Sequence, residues 1–264
     1  VTEQWKVRRY GCDTLSMVLA RRSFQVARRL HGRRTHQVTG SPGCHILVAR
    51  PGAVLEVTGD TPERLIDANR LCCLLAVFDS AMGVRAGPGT GDERVRLATL
   101  PARAFREPAM IETAILTGWL DRSACRSLLV ELRRREAYTL VRYLLNSRSE
   151  GRTLLQLCVL YGLSYSHFRR LCNRILGGSV KDRMDAWRAA RSALALVEQD
   201  RPVWTIAAEQ GYASASHISH DMKRRFGLTP RALIRAGRDL GEGAVTTREE
   251  RGAANGCRVP YAAR

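Results

Sequence analysis

Along residues 165–176 the side chains able to make specific polar contacts gather on one side of an expected helix. Ser166, Arg169, Arg170, Asn173 and Arg174 share that side, while Phe168, Leu171, Cys172 and Ile175 recur at i, i+3, i+4 and i+7 on the other. An arginine fork can grip guanine O6 and N7 together, and an asparagine amide can do the same for adenine N6 and N7. A cationic, polar face on a helix whose other side is packed is what a DNA major groove accepts. A second helix of this kind is expected near 215–226. It would bury Ile218, Met222 and Phe226 and display Ser216, Ser219, His220, Lys223 and Arg224.

Two such helices need elements to hold them, and the chain supplies these as a repeat with a spacing of about 50 residues. Leu157 to Gly162 aligns with Ile206 to Gly211, His167-Phe168 with His217-Ile218, Cys172 with Met222, Arg174 with Arg224, and Gly177 with Gly227. Each copy is a short helix, a glycine turn and a longer helix that stops at glycine, the outline of a helix-turn-helix. In the first copy Leu154, Leu157, Cys158 and Tyr161 form the buried stripe of the short helix. Gly162 suits the sharp exit, and Ser164 is placed to cap the next helix. In the second, Pro202 opens a helix burying Val203 and Ile206, and Thr229-Pro230 starts a last helix. Between the copies, Ser179 begins a long linker helix with Met184, Trp187, Ala190, Leu194 and Val197 along one side. About 19 residues at ~1.5 Å each span roughly 28 Å. That approaches the ~34 Å between successive major-groove faces of B-DNA.

Charge points the same way. Forty-three Lys and Arg against 25 Asp and Glu leave +18 over 264 residues, and only Lys6, Lys181 and Lys223 are lysines. Residues 138–238 carry 17 cations and seven acids, whereas 35–137 carry 13 and 12. A basic segment beside a neutral one indicates a nucleic-acid-binding module joined to something else. Residues 1–34, with nine cations and two acids, lack clear periodicity and read as a basic arm, disordered or foreign to the native chain. Within 35–137, strands are expected at Ile46–Val48 and Val54–Val57 around a Pro51-Gly52 turn. A helix capped at Thr61-Pro62, a Gly-rich loop from Gly83 to Asp92, and helices from Pro108 and Ser123 complete a small α+β regulatory or partner-binding domain. Residues 239–264 read as a disordered tail. The fold class is therefore mainly α: a C-terminal pair of helix-turn-helix units joined by a long linker helix, after a small mixed α+β N-terminal domain.

Other functions find little support in the residues. There is no Gly-rich phosphate loop, metal-spaced His/Cys set or Gly-x-Ser-x-Gly elbow, so an enzyme is not expected, nor a cofactor or metal. The eight cysteines include no Cys-x-x-Cys and fit a reducing, cytoplasmic setting. No apolar run approaches a membrane span, the longest being Leu71 to Phe78. The start, interrupted by Arg21 and Arg22, does not read as a signal peptide. Two alternatives stay open: a redox- or metal-responsive regulator using Cys72 and Cys73, and a nonspecific basic nucleic-acid-binding protein.

The run Gly-Leu-Ser-Tyr-Ser-His-Phe-Arg-Arg-Leu at 162–171 resembles the first helix-turn-helix of AraC/XylS-type transcription regulators. Ile206-Ala207, Gly211-Tyr212, Ser214, Arg225-Phe226-Gly227 and Thr229-Pro230 are similar to that family's second copy. Tyr138 to Arg148 and Tyr161 to Gly178 further resemble the chaperone-dependent activators of type III secretion genes, the invasion-regulator type. The resemblance implies bacterial promoter DNA, RNA polymerase and a type III secretion chaperone as partners, with the chaperone meeting the first domain. It implies groove-reading roles for Ser166, Arg169 and Arg170, and for Ala215, Ser216, Ser219 and His220. His220 stands where the family usually has Arg, Met222 where it has an aromatic, and Asp221 adds a negative charge nearby; all imply weaker contacts from the second copy. The few strands expected before Tyr138 argue against the cupin-like barrel of sugar-sensing members, and hence against a small-molecule inducer.

Overall fold

The computed structural model describes residues 5–59, 61–84, 94–117, 125–146, 152–198 and 201–237. The expected tail at 239–264 and most of the Gly83–Asp92 loop lie outside these residues. The chain divides into two compact units, residues 1–180 and 181–264. The boundary expected between 137 and 138 thus falls inside the first unit, which also holds the first helix-turn-helix.

The first unit begins with strand, not with an arm. Strands β1 (Trp5–Arg9), β2 (Thr14–Ala20), β3 (Phe24–Leu30), β4 (Arg33–Gly40), β5 (Gly43–Val48), β6 (Val54–Thr58), β7 (Glu63–Asp67) and β8 (Arg96–Leu100) form two antiparallel four-stranded sheets. Their orders are β1-β6-β3-β4 and β7-β2-β5-β8. Leu15, Met17, Phe24 and Val26, all from the supposed arm, are buried with Ile46, Leu47, Leu55 and Val57. Phe24 of β3 meets the His45 ring of β5 at 5.4 Å, joining the sheets. The arm's cations are partly structural. Arg29 and Arg34 converge on the buried carboxylate of Glu56, Arg34 also stacks on Trp5, and Arg8 pairs with Glu63 at 3.0 Å. With this many strands, the argument against a ligand-binding β domain from strand number fails.

Two local departures follow from chain geometry. Strands β5 and β6 belong to different sheets, so the Pro51-Gly52 turn links sheets instead of closing a hairpin. The helix expected from Thr61 starts later. Residues 63–67 pair with β2, and α1 (Ala68–Ala81) opens at Asp67, whose carboxylate accepts from the Arg70 amide. Pairing with β2 satisfies the backbone that an early helical turn would otherwise have used.

Helices α2 (Ala109–Leu116), α3 (Arg126–Arg134) and α4 (Glu136–Leu145) follow. Asp79 of α1 is fully buried, gripped by Arg133 of α3 through two bonds of 2.7 and 2.9 Å and by the Tyr138 hydroxyl of α4 at 2.7 Å. Burial, and then the Asp79 carboxylate, push the Tyr138 phenol up to about 12.

If residues 14–30 are core and not arm, Leu15→Ala should destabilise the protein by about 2–5 kcal/mol in urea unfolding. Arg21→Ala, on an exposed turn, should stay within about 0.5 kcal/mol. Equal, negligible effects from both would return this segment to the status of an arm.

Candidate nucleic-acid interface

The first copy is built around a left-handed glycine. Helix α5 (Leu154–Tyr161) starts in a capping box, Thr153 and Gln156 exchanging side-chain and backbone hydrogen bonds. It ends at Gly162 with φ 82°, where the Leu163 amide reaches back to the Cys158 carbonyl at 3.1 Å. The turn aims helix α6 (Tyr165–Leu176), whose Phe168, Leu171, Cys172 and Ile175 are buried. Tyr161 locks the two helices, its ring 5.4 Å from Phe168 and 5.0 Å from Tyr143 of α4. Ser164 sits at the N-cap of α6 but makes no capping bond there; its hydroxyl lies 3.5 Å from that of Ser166.

On the opposite face Ser166, Arg169, Arg170, Asn173 and Arg174 are all exposed. They are not equivalent. Arg174 donates to Glu136 at 3.0 Å and lies 3.9 Å from Asp13, so its charge is partly answered within the first unit. That pairing was not legible from spacing, because the acids are 38 and 161 residues away in sequence.

In the second unit α7 (Val180–Glu198) leads to α8 (Val203–Glu209), and α9 (Ala215–Phe226) follows the turn at Gly211, φ 71°. Ser214 caps α9, accepting from the His217 amide at 3.1 Å, and Thr229 accepts from the Ala232 amide to start a helical run over 230–237. The face of α7 that packs is not the expected one. Ala189, Ser192 and Leu196 are buried, whereas Ala190, Leu194 and Val197 are exposed. Small side chains at 189 and 192 permit close approach, and the Ser192 hydroxyl is satisfied by the Arg188 carbonyl at 2.8 Å. Phe226, expected in the core, is 42% exposed; Ile218 and Met222 join Ile206, Ala207 and Tyr212 there.

Ser216, His220, Lys223 and Arg224 are exposed, while Ser219 is half-buried and donates its hydroxyl to the Ala215 carbonyl at 2.7 Å. Asp221 is not a surface charge facing DNA. It is buried, accepting from Tyr212 at 2.9 Å, Arg224 at 2.6 Å and Arg225 at 2.9 Å. Burial alone would raise this carboxyl, but bonds from Arg224, Tyr212 and Arg225 overcome it and hold the group below the ordinary aspartate value. Arg224 is therefore an anchor as well as a surface cation.

The Cys72 thiol is buried, and desolvation pushes it up to about 12, which keeps it protonated and unreactive at neutral pH. No group of three His, Cys, Asp or Glu is placed to hold a metal among the described residues. No described helix is long and apolar enough to cross a membrane.

Two stability measurements check this geometry. A Cβ at Gly162 would meet nothing within 4 Å, so substitution there is penalised by its positive φ alone. Gly162→Val should cost more than about 1 kcal/mol and Gly162→Asn distinctly less; equal costs would place the penalty elsewhere. Asp221→Asn should cost about 1–3 kcal/mol near neutral pH. Because the folded carboxyl is depressed, the wild-type advantage is complete above about pH 4–5 and narrows as pH falls through the depressed value. A difference in urea midpoint independent of pH would contradict the assignment of an ionised anchor.

A helix-turn-helix domain family model matches residues 157–236. The invasion protein InvF of Salmonella typhi is 35% identical over 189 residues, covering 71% of this chain and 88% of that protein, and InvF of Salmonella typhimurium matches equally. The transcriptional regulator MxiE of Shigella flexneri is 35% identical over 107 residues, 40% of this chain and 51% of MxiE. Among solved structures, a Chromobacterium violaceum regulator with an AraC-type DNA-binding domain aligns at 21% identity, TM-score 0.31, covering 33% of this chain and 77% of that one. ToxT of Vibrio cholerae aligns at 9% identity, TM-score 0.36, covering 88% and 97%. The chain belongs to the AraC-type helix-turn-helix transcription regulators, alongside InvF and MxiE.

Proposed function

We propose that this regulator reads promoter DNA by setting α6 and α9 into successive major grooves, and that its promoters serve type III secretion genes in the bacterial cytoplasm. The observation that carries the reading is the face of α6, where Ser166, Arg169, Arg170 and Asn173 stand exposed on a helix fixed from behind by Phe168, Leu171 and Cys172. Arginine and asparagine on a rigid support can discriminate bases, whereas mobile cations chiefly find phosphates. Specificity rests mainly on α6. In α9, Arg224 and Arg225 are tied to Asp221, and Ser219 is tied to its own backbone, which leaves Ser216, His220 and Lys223 for DNA. The similarity to a protein named for invasion supports the choice of genes. The β-sheet unit is the surface offered to a secretion chaperone acting as coactivator, with RNA polymerase as the further partner.

Arg169→Ala or Arg170→Ala should weaken binding to the cognate promoter site by about 1–3 kcal/mol and relax selection at one base. Competition with random duplex at about 150 mM salt checks this, because nonspecific binding collapses there while specific binding persists. Equal losses on cognate and random DNA would reduce these arginines to phosphate contacts and favour the nonspecific reading.

A further inference from the structure

A cavity of about 420 Å³ opens in the first unit between the end of β5, the start of β8 and the outer side of α3. Arg50, Arg94, Arg96, Arg126 and Arg134 line it. None of them lies on α5 or α6, so the reading of DNA by α6 leaves this concentration of charge unexplained. Guanidinium groups do not lose their proton at any physiological pH, so neighbouring arginines must be offset by anions. Arg50, Arg94 and Arg96 also engage other groups of the chain, which builds the cluster into the fold.

A second observation points to a missing partner. Arg134 Nε, from a residue that lines the cavity, is buried without a hydrogen-bond partner, and Glu131 Oε1 accepts no hydrogen bond, its contact being an ion pair with Arg135 at 3.6 Å. Glu131 is only 5% exposed, and such unsatisfied buried groups are rare in native interiors. Burial raises its carboxyl against the pull of Arg135, Arg134 and Arg50. Val48, Ala49 and Val130 complete the wall and limit the occupant's size.

We propose that this cavity binds a compact oxyanion bearing two or more negative charges, carried on phosphate or carboxylate groups. Arginine forks hold both chemistries through paired, charge-assisted hydrogen bonds. The volume lies in the range of small-ligand sites. A concave cavity suits such a molecule better than the convex backbone of duplex DNA. The proposal does not rest on the promoter reading.

The test is calorimetric titration of the full chain, in phosphate-free buffer of low ionic strength, with inorganic pyrophosphate and separately with citrate. Saturable binding of at least one probe at one site per chain is expected. Preference for pyrophosphate or for citrate identifies the phosphate or the carboxylate as the chemistry held. The double variant Arg126→Gln, Arg134→Gln should bind about tenfold or more weakly, and the control Arg21→Gln, Arg22→Gln should bind as wild type. If the first double variant does not fold, the single variant Arg126→Gln, at an exposed position, takes its place. No saturable binding of either probe, or equal weakening in the cavity variant and the control, overturns the proposal. So does displacement of the probe by random duplex DNA whose own binding falls in the cavity variant, which would assign the arginines to the DNA backbone.

Discussion

A carboxylate buried beyond the reach of water has to be neutralised by the fold itself, and the first unit is organised around one. Asp79 draws two hydrogen bonds from Arg133 and a third from Tyr138, so α1, α3 and α4 meet at a single charge. The pair holds only while its geometry is kept, because losing one partner of a buried ion pair costs about 3–5 kcal/mol. The consequence reaches α6. Tyr143, on the helix that carries Tyr138, donates to the Leu157 carbonyl and meets the Tyr161 ring edge-to-face, while the Cys73 thiol of α1 lies 3.9 Å from the Ile175 carbonyl. Asp79 thereby helps fix the frame from which the exposed polar face of α6 projects.

This arrangement changes the meaning of the N-terminal half. Its helices are continuous with the packing behind α6, and the connection between β1 and β2 supplies Asp13, which with Glu136 of α4 reaches Arg174. Under the proposed promoter reading, turning Arg174 toward a DNA phosphate would loosen its hold on these acids, by ordinary competition for one cation. Both residues of the stronger pair are about half exposed, so the pair is screened and readily exchanged.

The helical half was legible because its signals are local. Glycines 162, 177, 211 and 227 take the left-handed conformations that their places in the repeat require, and the buried set of α6 follows its spacing. The strands were not legible, for reasons that are also physical. β1 and β4 place arginines at outward positions, and the charges there mask the alternation. The hairpin between β3 and β4 turns on His31 and Gly32, both with positive φ, where an Asn-Gly or Asp-Gly pair would have announced it. An extra residue, His36, bulges the same pair and breaks its period of two. Strand β2 is buried at most positions and so shows no alternation at all. The misplaced stripe on α7 has another cause. Leucine and valine mark a core only when something covers them, and here alanine and serine allow the close approach instead.

The two copies of the repeat divide their charges differently, and Asp221 is the reason. Its counterpart in the first copy is Leu171, a buried apolar residue, so Arg174 looks outward for its acids, while Arg169 and Arg170 stand exposed. In the second copy the equivalent position is a buried anion, and Arg224 and Arg225 fold back onto it. An arginine that neutralises a buried carboxylate cannot leave it for a base edge without exposing that charge to an apolar interior. Positive charge at the end of α9 thus strengthens the helix more than it serves recognition. A repeat that looks symmetric in its glycines and apolar stripe is asymmetric in the electrostatics of its outer face, and the first copy retains the side chains best able to choose a sequence.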